Sequence, residues 1–228
     1  MNSEKVRVLI FSLFFVALLL FAILYQPINA VSGTPDQRTA VMPAGRPLLM
    51  KAPLGLPPVP IPADNPPTLA TVALGRLLYY DPVLSGDNSV SCASCHGLQM
   101  GFADSRPLSI GVGGKTGTRH SPTVINSAYS SLQFWDGRAP SLEEQAKGPI
   151  ENPVEMATTH AEVVQRLQAD PKYVALFKQA WGTDQVTIDL VVKSIASFER
   201  TVLSGNSPFD RFIMDMTRKR CPPRLSGD

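Results

Sequence analysis

The sequence carries little net charge and few cysteines, histidines or aromatics, and each scarcity narrows the field. Twenty-one Lys and Arg against 19 Asp and Glu leave a formal charge of only +2. No run of Lys or Arg forms a basic patch, so nothing supports nucleic-acid binding. Strand-like alternation and internal repeats are also missing. With 44% hydrophobic and 18% charged residues, the chain is too apolar to be wholly disordered. Its 228 residues suffice for one sizeable domain with its own core.

One long apolar run is present. Lys5 and Arg7 precede an almost unbroken stretch from Val8 to Leu24, and Pro27-Ile28-Asn29-Ala30 makes a cleavage-site stretch behind it. A positive flank followed by such a run is what the secretory machinery reads. The run also approaches the length that spans a bilayer. Residues 1–30 are therefore expected to be a signal peptide or a retained membrane anchor. Either places the remainder in the periplasm, tied to the inner membrane if the segment is kept. Three cysteines in an exported chain ordinarily mean one disulfide and a spare thiol. Cys92 and Cys95, however, are too close in sequence to staple much of a fold.

Residues 31–67 are crowded with prolines and lack periodicity, which predicts a stiff tether or an arm along the surface. The folded part begins near Thr68, with Leu69, Val72, Ala73, Leu77 and Leu78 at helical spacing and Pro82 as the stop. From Asp81 to Ala139 the abundance of Gly, Ser, Pro and Asn predicts long ordered loops. Further helices are expected over Ser141 to Lys147, with Ser141 and Glu144 as a capping box and Gly148-Pro149 as the end. Others are expected over His160 to Ala169, from Pro171 to Gly182, and from Ile188 to Leu203. The last carries the stripe Ile188, Val191, Val192, Ile195, Phe198 and Val202, closed by Gly205. The fold class is mainly α, a helical domain over residues 68–212, with an atypical tail over 213–228.

The chemistry lies in Cys92-Ala93-Ser94-Cys95-His96. On one helical turn, thiols three residues apart can reach the two vinyl groups at one porphyrin edge, while the adjacent imidazole points at the iron. The expectation is one covalent haem c held by Cys92 and Cys95, with His96 as the axial ligand. Two rivals stand beside it. A thioredoxin-like redox pair needs a strand–helix setting. A zinc site needs two further ligands, from Cys221 or distant histidines. This haem domain would have the fold of a helical c-type cytochrome.

The surrounding sequence resembles the bacterial di-haem cytochrome c peroxidases, a family that includes the MauG-type enzymes. The resemblance runs through Leu74-Gly75-Arg76-Leu77-Leu78-Tyr79-Tyr80-Asp81, the haem motif, Gly101-Phe102-Ala103-Asp104 and Ser109-Ile110-Gly111. It continues through Asn126 and Phe134-Trp135-Asp136-Gly137-Arg138 to Ser207-Pro208-Phe209-Asp210-Arg211. It implies a peroxidase that reduces hydrogen peroxide with electrons from a small periplasmic cytochrome or copper protein. It also implies roles for three residues. Gln145 and Glu155 would line the open face of the peroxidatic haem, orienting peroxide and moving its protons, and Trp135 would conduct electrons. Arg138 beside Asp136 reads as an ion pair or a haem propionate contact.

Departures from the family pattern carry their own expectations. Many members have a His where this sequence has Val112, so the iron is expected to be open unless His120, Met100 or Met156 substitutes. His120 stands where the family has an Asn that helps bind calcium, and no calcium is expected. The family's second half, with its own haem, has no counterpart here, which suggests a truncated peroxidase. The face uncovered by that loss would favour a homodimer. The alternative is a single-haem electron-transfer cytochrome.

Overall fold

The computed structural model describes residues 41–214; the segment expected to be a signal or anchor, the first part of the arm, most of the atypical tail and Cys221 lie outside them. Among the described residues there are seven α-helices and no named strand.

Helix α1 (Leu69–Tyr80) starts where Thr68 and Thr71 exchange backbone and side-chain hydrogen bonds. Helix α2 is the single turn Cys92–Cys95. Helix α3 (Leu142–Glu151) is capped by Ser141, whose hydroxyl accepts from the Glu144 N–H. The reciprocal half of the expected box is not made, because Glu144 accepts from Lys147 instead. Nor does Gly148-Pro149 end this helix. Asn152 N–H still donates to the Gly148 carbonyl, while Met156 and Thr158 N–H donate to the carbonyls of Pro149 and Ile150. The segment after the helix thus folds back and holds its last turn, compensating for the proline.

Helices α4 (His160–Ala169) and α5 (Pro171–Trp181) begin at Thr159 and Asp170 caps, and Gly182 closes α5 in the left-handed conformation that glycine adopts freely. Helix α6 (Ile188–Glu199) is shorter than its apolar stripe suggests. Beyond it, Val202 remains buried, but its carbonyl accepts from Asn126 N–H, and the Asn126 side chain pairs with both backbone groups of Ser204. The loop has taken over the hydrogen bonds that a continuing helix would make. A short helix α7 (Pro208–Met214) follows.

Leu74 and Leu78 of α1, Ile150 of α3, Val163 and Leu167 of α4, Phe177 of α5, and Val191 and Ile195 of α6 share one core. Its axis is the contact of α1 with α6. There Gly75 lies against the Ser194 backbone so closely that a Cβ would overlap the Ser194 carbonyl. The long loops between α2 and α3 are clasped by isolated antiparallel bridges at Gly97–Ala103, Ile110–Thr116 and Gln133–Ala139.

Candidate active site

The turn of α2 presents two thiols and an imidazole to one cavity. His96 N–H donates to the Cys92 carbonyl at 3.0 Å, and Ser91 N–H donates to Ser94 Oγ at 2.9 Å. With the turn closed at both ends, Cys92 and Cys95 share a face. Two anchors hold it in place: the Tyr79 hydroxyl donates to the His96 carbonyl (2.9 Å), and Arg106, paired with Asp104, donates to the Ser94 carbonyl (3.1 Å).

His96 Nδ1 lies 2.9 Å from the Pro122 carbonyl. A carbonyl only accepts, so Nδ1 carries the proton and Nε2 keeps its lone pair for a metal. Burial lowers the imidazole pKa against the opposing pull of that hydrogen bond, which favours the neutral, ligating form. Burial pushes the Cys92 thiol up to about 12 and raises Cys95 as well. Neither is an activated redox nucleophile, which needs a depressed pKa. Among the described residues no three His, Cys, Asp and Glu side chains gather to hold a metal ion.

The cavity measures about 420 Å³, within the range of small-molecule and cofactor sites. Cys92, Cys95 and His96 line it together with Gln145, Glu155 and Met156, supplied by α3 and the segment after it. Burial raises the Glu155 carboxyl, opposed by a hydrogen bond from Asn152 and by the Arg138 charge. Asn152 Nδ2 donates to Glu155 Oε1 at 2.7 Å, leaving Oε2 for a proton. Val112 does not line the cavity; its N–H donates to the Glu155 carbonyl at 2.8 Å. At Gly111 any Cβ would strike the Val154 and Glu155 backbone, so this loop sits tightly against the Glu155 main chain.

Trp135 is exposed, with its indole N–H donating to the His120 carbonyl at 2.8 Å, and it also borders the cavity. Arg138 stacks 3.5 Å over the Phe134 ring and pairs with Asp136. Of the alternative iron ligands, His120 and Met156 line the cavity whereas Met100 does not. His120 Nδ1 is engaged by the Arg106 carbonyl at 3.1 Å.

All six residues singled out in the sequence thus meet at one cavity. Two partners escaped notice. Asn152 becomes visible only once the backbone folds it onto Glu155. Glu199 lines the cavity and is buried; its signal was in the sequence, since it falls four residues after Ile195 on the apolar stripe of α6.

The donor set fits a covalently bound haem: two unactivated thiols on one turn, a neutral imidazole with its outer nitrogen satisfied, and a cofactor-sized cavity beside them. A family model described as di-haem cytochrome c peroxidase matches residues 69–218. The cytochrome c551 peroxidase of Nitrosomonas europaea is 45% identical over 155 residues, covering 68% of this chain and 46% of that protein. The methylamine utilization protein MauG of Methylorubrum extorquens is 43% identical over 157 residues, covering 68% of this chain and 44% of the relative. Among solved structures, a MauG-like protein associated with microbial copper homeostasis superposes with a TM-score of 0.65 at 32% identity, over 70% of this chain and 48% of the other. The chain spans about half the length of the curated relatives it matches.

Proposed function

The chain belongs to the di-haem cytochrome c peroxidase family, and from that premise we propose that it is a periplasmic haem peroxidase domain, reducing hydrogen peroxide to water with electrons from a small redox protein. One haem c is attached through Cys92 and Cys95, with His96 on the iron. The observation that carries this reading is the half-buried Glu155 carboxyl, bordering the same cavity as the Cys92–His96 turn and raised in pKa. The Lys5–Leu24 region supports export.

Haem, when bound, supplies the redox-active iron at which peroxide is reduced. Overall, one peroxide, two electrons and two protons give two waters. Glu155 manages the protons: Oε1 is held by Asn152, and Oε2 accepts a proton from peroxide and returns it to the departing oxygen. Such acid–base help is worth about 10²–10⁴-fold. A raised pKa suits the task, because the group must both take and give a proton near neutral pH. The Gln145 amide donates to the peroxide and orients it. Trp135, at the rim, offers a route for electrons from a docked donor.

Met156 in the cavity lining supports a second reading. A thioether on iron would make the chain an electron-transfer cytochrome. One experiment separates the two. The ferric protein, matured with its haem, is given one equivalent of hydrogen peroxide while its absorption spectrum is followed. Prompt loss of the resting spectrum, slowed at least about 100-fold in Glu155→Gln, supports the peroxidase. A low-spin spectrum indifferent to peroxide would sink it and leave the carrier.

A further inference from the structure

Glu199 has no part in the peroxide chemistry above. It sits on α6 one turn after Ile195, and both line the cavity that Cys92 borders. The residue is only 6% exposed, and its Oε2 is buried with no hydrogen-bond partner. A buried carboxyl lacking a partner for one oxygen is costly in either protonation state and more so when ionised.

The neighbouring charges relieve it only in part. Arg200 is next in the chain but commits its guanidinium to Glu143, with Nη1 2.7 Å from Oε1 and Nη2 3.1 Å from Oε2. That pair is internally balanced. The other titratable groups facing Glu199 are Tyr79 from α1 and Cys92 from α2. Burial raises both above their ordinary values, the thiol to about 12, so both stay neutral over the range in which Glu199 ionises, and a Cys92 bound to haem has no thiol proton to lose. Glu199 is left as the group on this side of the cavity whose charge can change. Burial, offset only in part by the Arg200 charge because the Glu143 charge opposes it, pushes its carboxyl up to about 8.

We propose that Glu199 is a redox-linked proton acceptor, taking up one proton from solvent through the cavity as the haem iron takes up one electron. The balance is simple. Above about pH 8, where the Glu199 carboxyl is ionised before reduction, a one-electron reductant, the donor protein or a chemical mediator, gives its electron to ferric iron, and Glu199 carboxylate becomes the carboxylic acid, so the net charge inside the cavity is unchanged. The driving force is Coulombic: an added electron in a poorly screened cavity raises the cost of a nearby carboxylate. Glu199 is a positioning residue for charge, not one that touches peroxide. The inference rests on the haem attachment proposed above but not on peroxidase activity.

The test is the ferric/ferrous reduction potential of the haem-loaded protein from about pH 6 to about pH 9, the window that brackets the raised carboxyl. The potential of the unaltered protein is expected to be level below about pH 7 and to fall as pH rises past about 8, towards a limit of about 59 mV per tenfold change in proton concentration for a one-electron couple. Glu199→Gln should flatten that dependence, whereas Glu155→Gln should retain it. At about pH 9, where the carboxyl is ionised in the ferric protein, the reduced-minus-oxidised infrared difference spectrum of the unaltered protein should show a carbonyl band of a protonated carboxylic acid, and this readout decides the matter even if Glu199→Gln does not mature. A pH-independent potential, the same slope in Glu199→Gln, or absence of that band overturns the proposal. A chain whose mass shows no attached haem overturns the attachment as well, which tells the two failures apart.

Discussion

Two acidic side chains, the half-buried Glu143 and the buried Glu199, lie within reach of the same arginine, and their fates differ because Arg200 can serve only one. Glu143 accepts both guanidinium bonds and a third from Asn65 Nδ2 at 2.7 Å. Burial alone would raise its pKa, but the Arg200 hydrogen bonds and charge, with Asn65, bring it below the ordinary value. Its stabilisation is therefore present above the unfolded carboxyl range and is lost as pH falls through the lowered value. Arg200→Ala leaves the Glu143 charge buried without its main partner. It should cost about 3–5 kcal/mol in a denaturant titration at pH 7. Glu199 has the opposite sign. Its folded pKa is raised to about 8, so its share of stability is full below the unfolded carboxyl range and is lost as pH climbs towards 8. Melting temperatures of the haem-loaded protein should decline across that window, and Glu199→Gln should remove much of the decline, a difference on the order of a few kcal/mol.

Between elements, the decisive contact is that of α1 with α6 at Gly75. Any side chain there meets the Ser194 backbone, which cannot swing aside as a side-chain tip can. Ser194 is also fixed by the Trp181 indole, whose N–H donates to its Oγ at 2.9 Å. Gly75→Ala should therefore destabilise by roughly 3 kcal/mol or more through overpacking, although alanine is the better helix former. Calorimetric melting checks this; an unchanged or raised midpoint would mean that the helices separate freely. Sequence patterns made α1, α4, α5 and most of α6 legible, because their caps and apolar spacing are local. The errors came where distant segments supplied hydrogen bonds. Asn126 ends α6 early, and the Met156–Thr158 backbone lets α3 run through Pro149. At the site, Cys92, Cys95 and His96 were legible from spacing, whereas Gln145, Glu155 and Trp135 stood out only through family resemblance. No local pattern marks the Pro122 carbonyl behind His96 or Asn152 behind Glu155, since both act through the folded loop.

Across the whole described molecule, the proline-rich segment from residue 41 to 67 is stitched to the helices and takes part in holding the site. Ala44 N–H donates to the Ala180 carbonyl (2.8 Å), Lys193 Nζ reaches both the side chain and the carbonyl of Asp64, and Asn206 N–H donates to the Leu54 carbonyl (2.8 Å). Asn65 is fully buried: Nδ2 donates to Glu143 Oε1 and to the Lys193 carbonyl, and Oδ1 accepts from Ser197. It ties the arm to α3 and α6 at once. Proline restricts the unfolded chain, so docking this segment costs less conformational entropy than docking an ordinary loop of that length. Glu143 lies two residues before Gln145 on α3, so the arm also braces the helix that carries one wall of the cavity. A mature chain beginning at Thr68 should melt well below one beginning at Val41, and its ferric spectrum should respond to peroxide more slowly. Asn65→Ala in the longer chain should reproduce part of both effects, costing about 1.5–3 kcal/mol for a buried hydrogen bond to a charged group. Equal melting temperatures for the two chain lengths would show that the arm merely covers the surface. A melting difference without a change in peroxide response would confine its contribution to stability and separate it from the placement of Gln145.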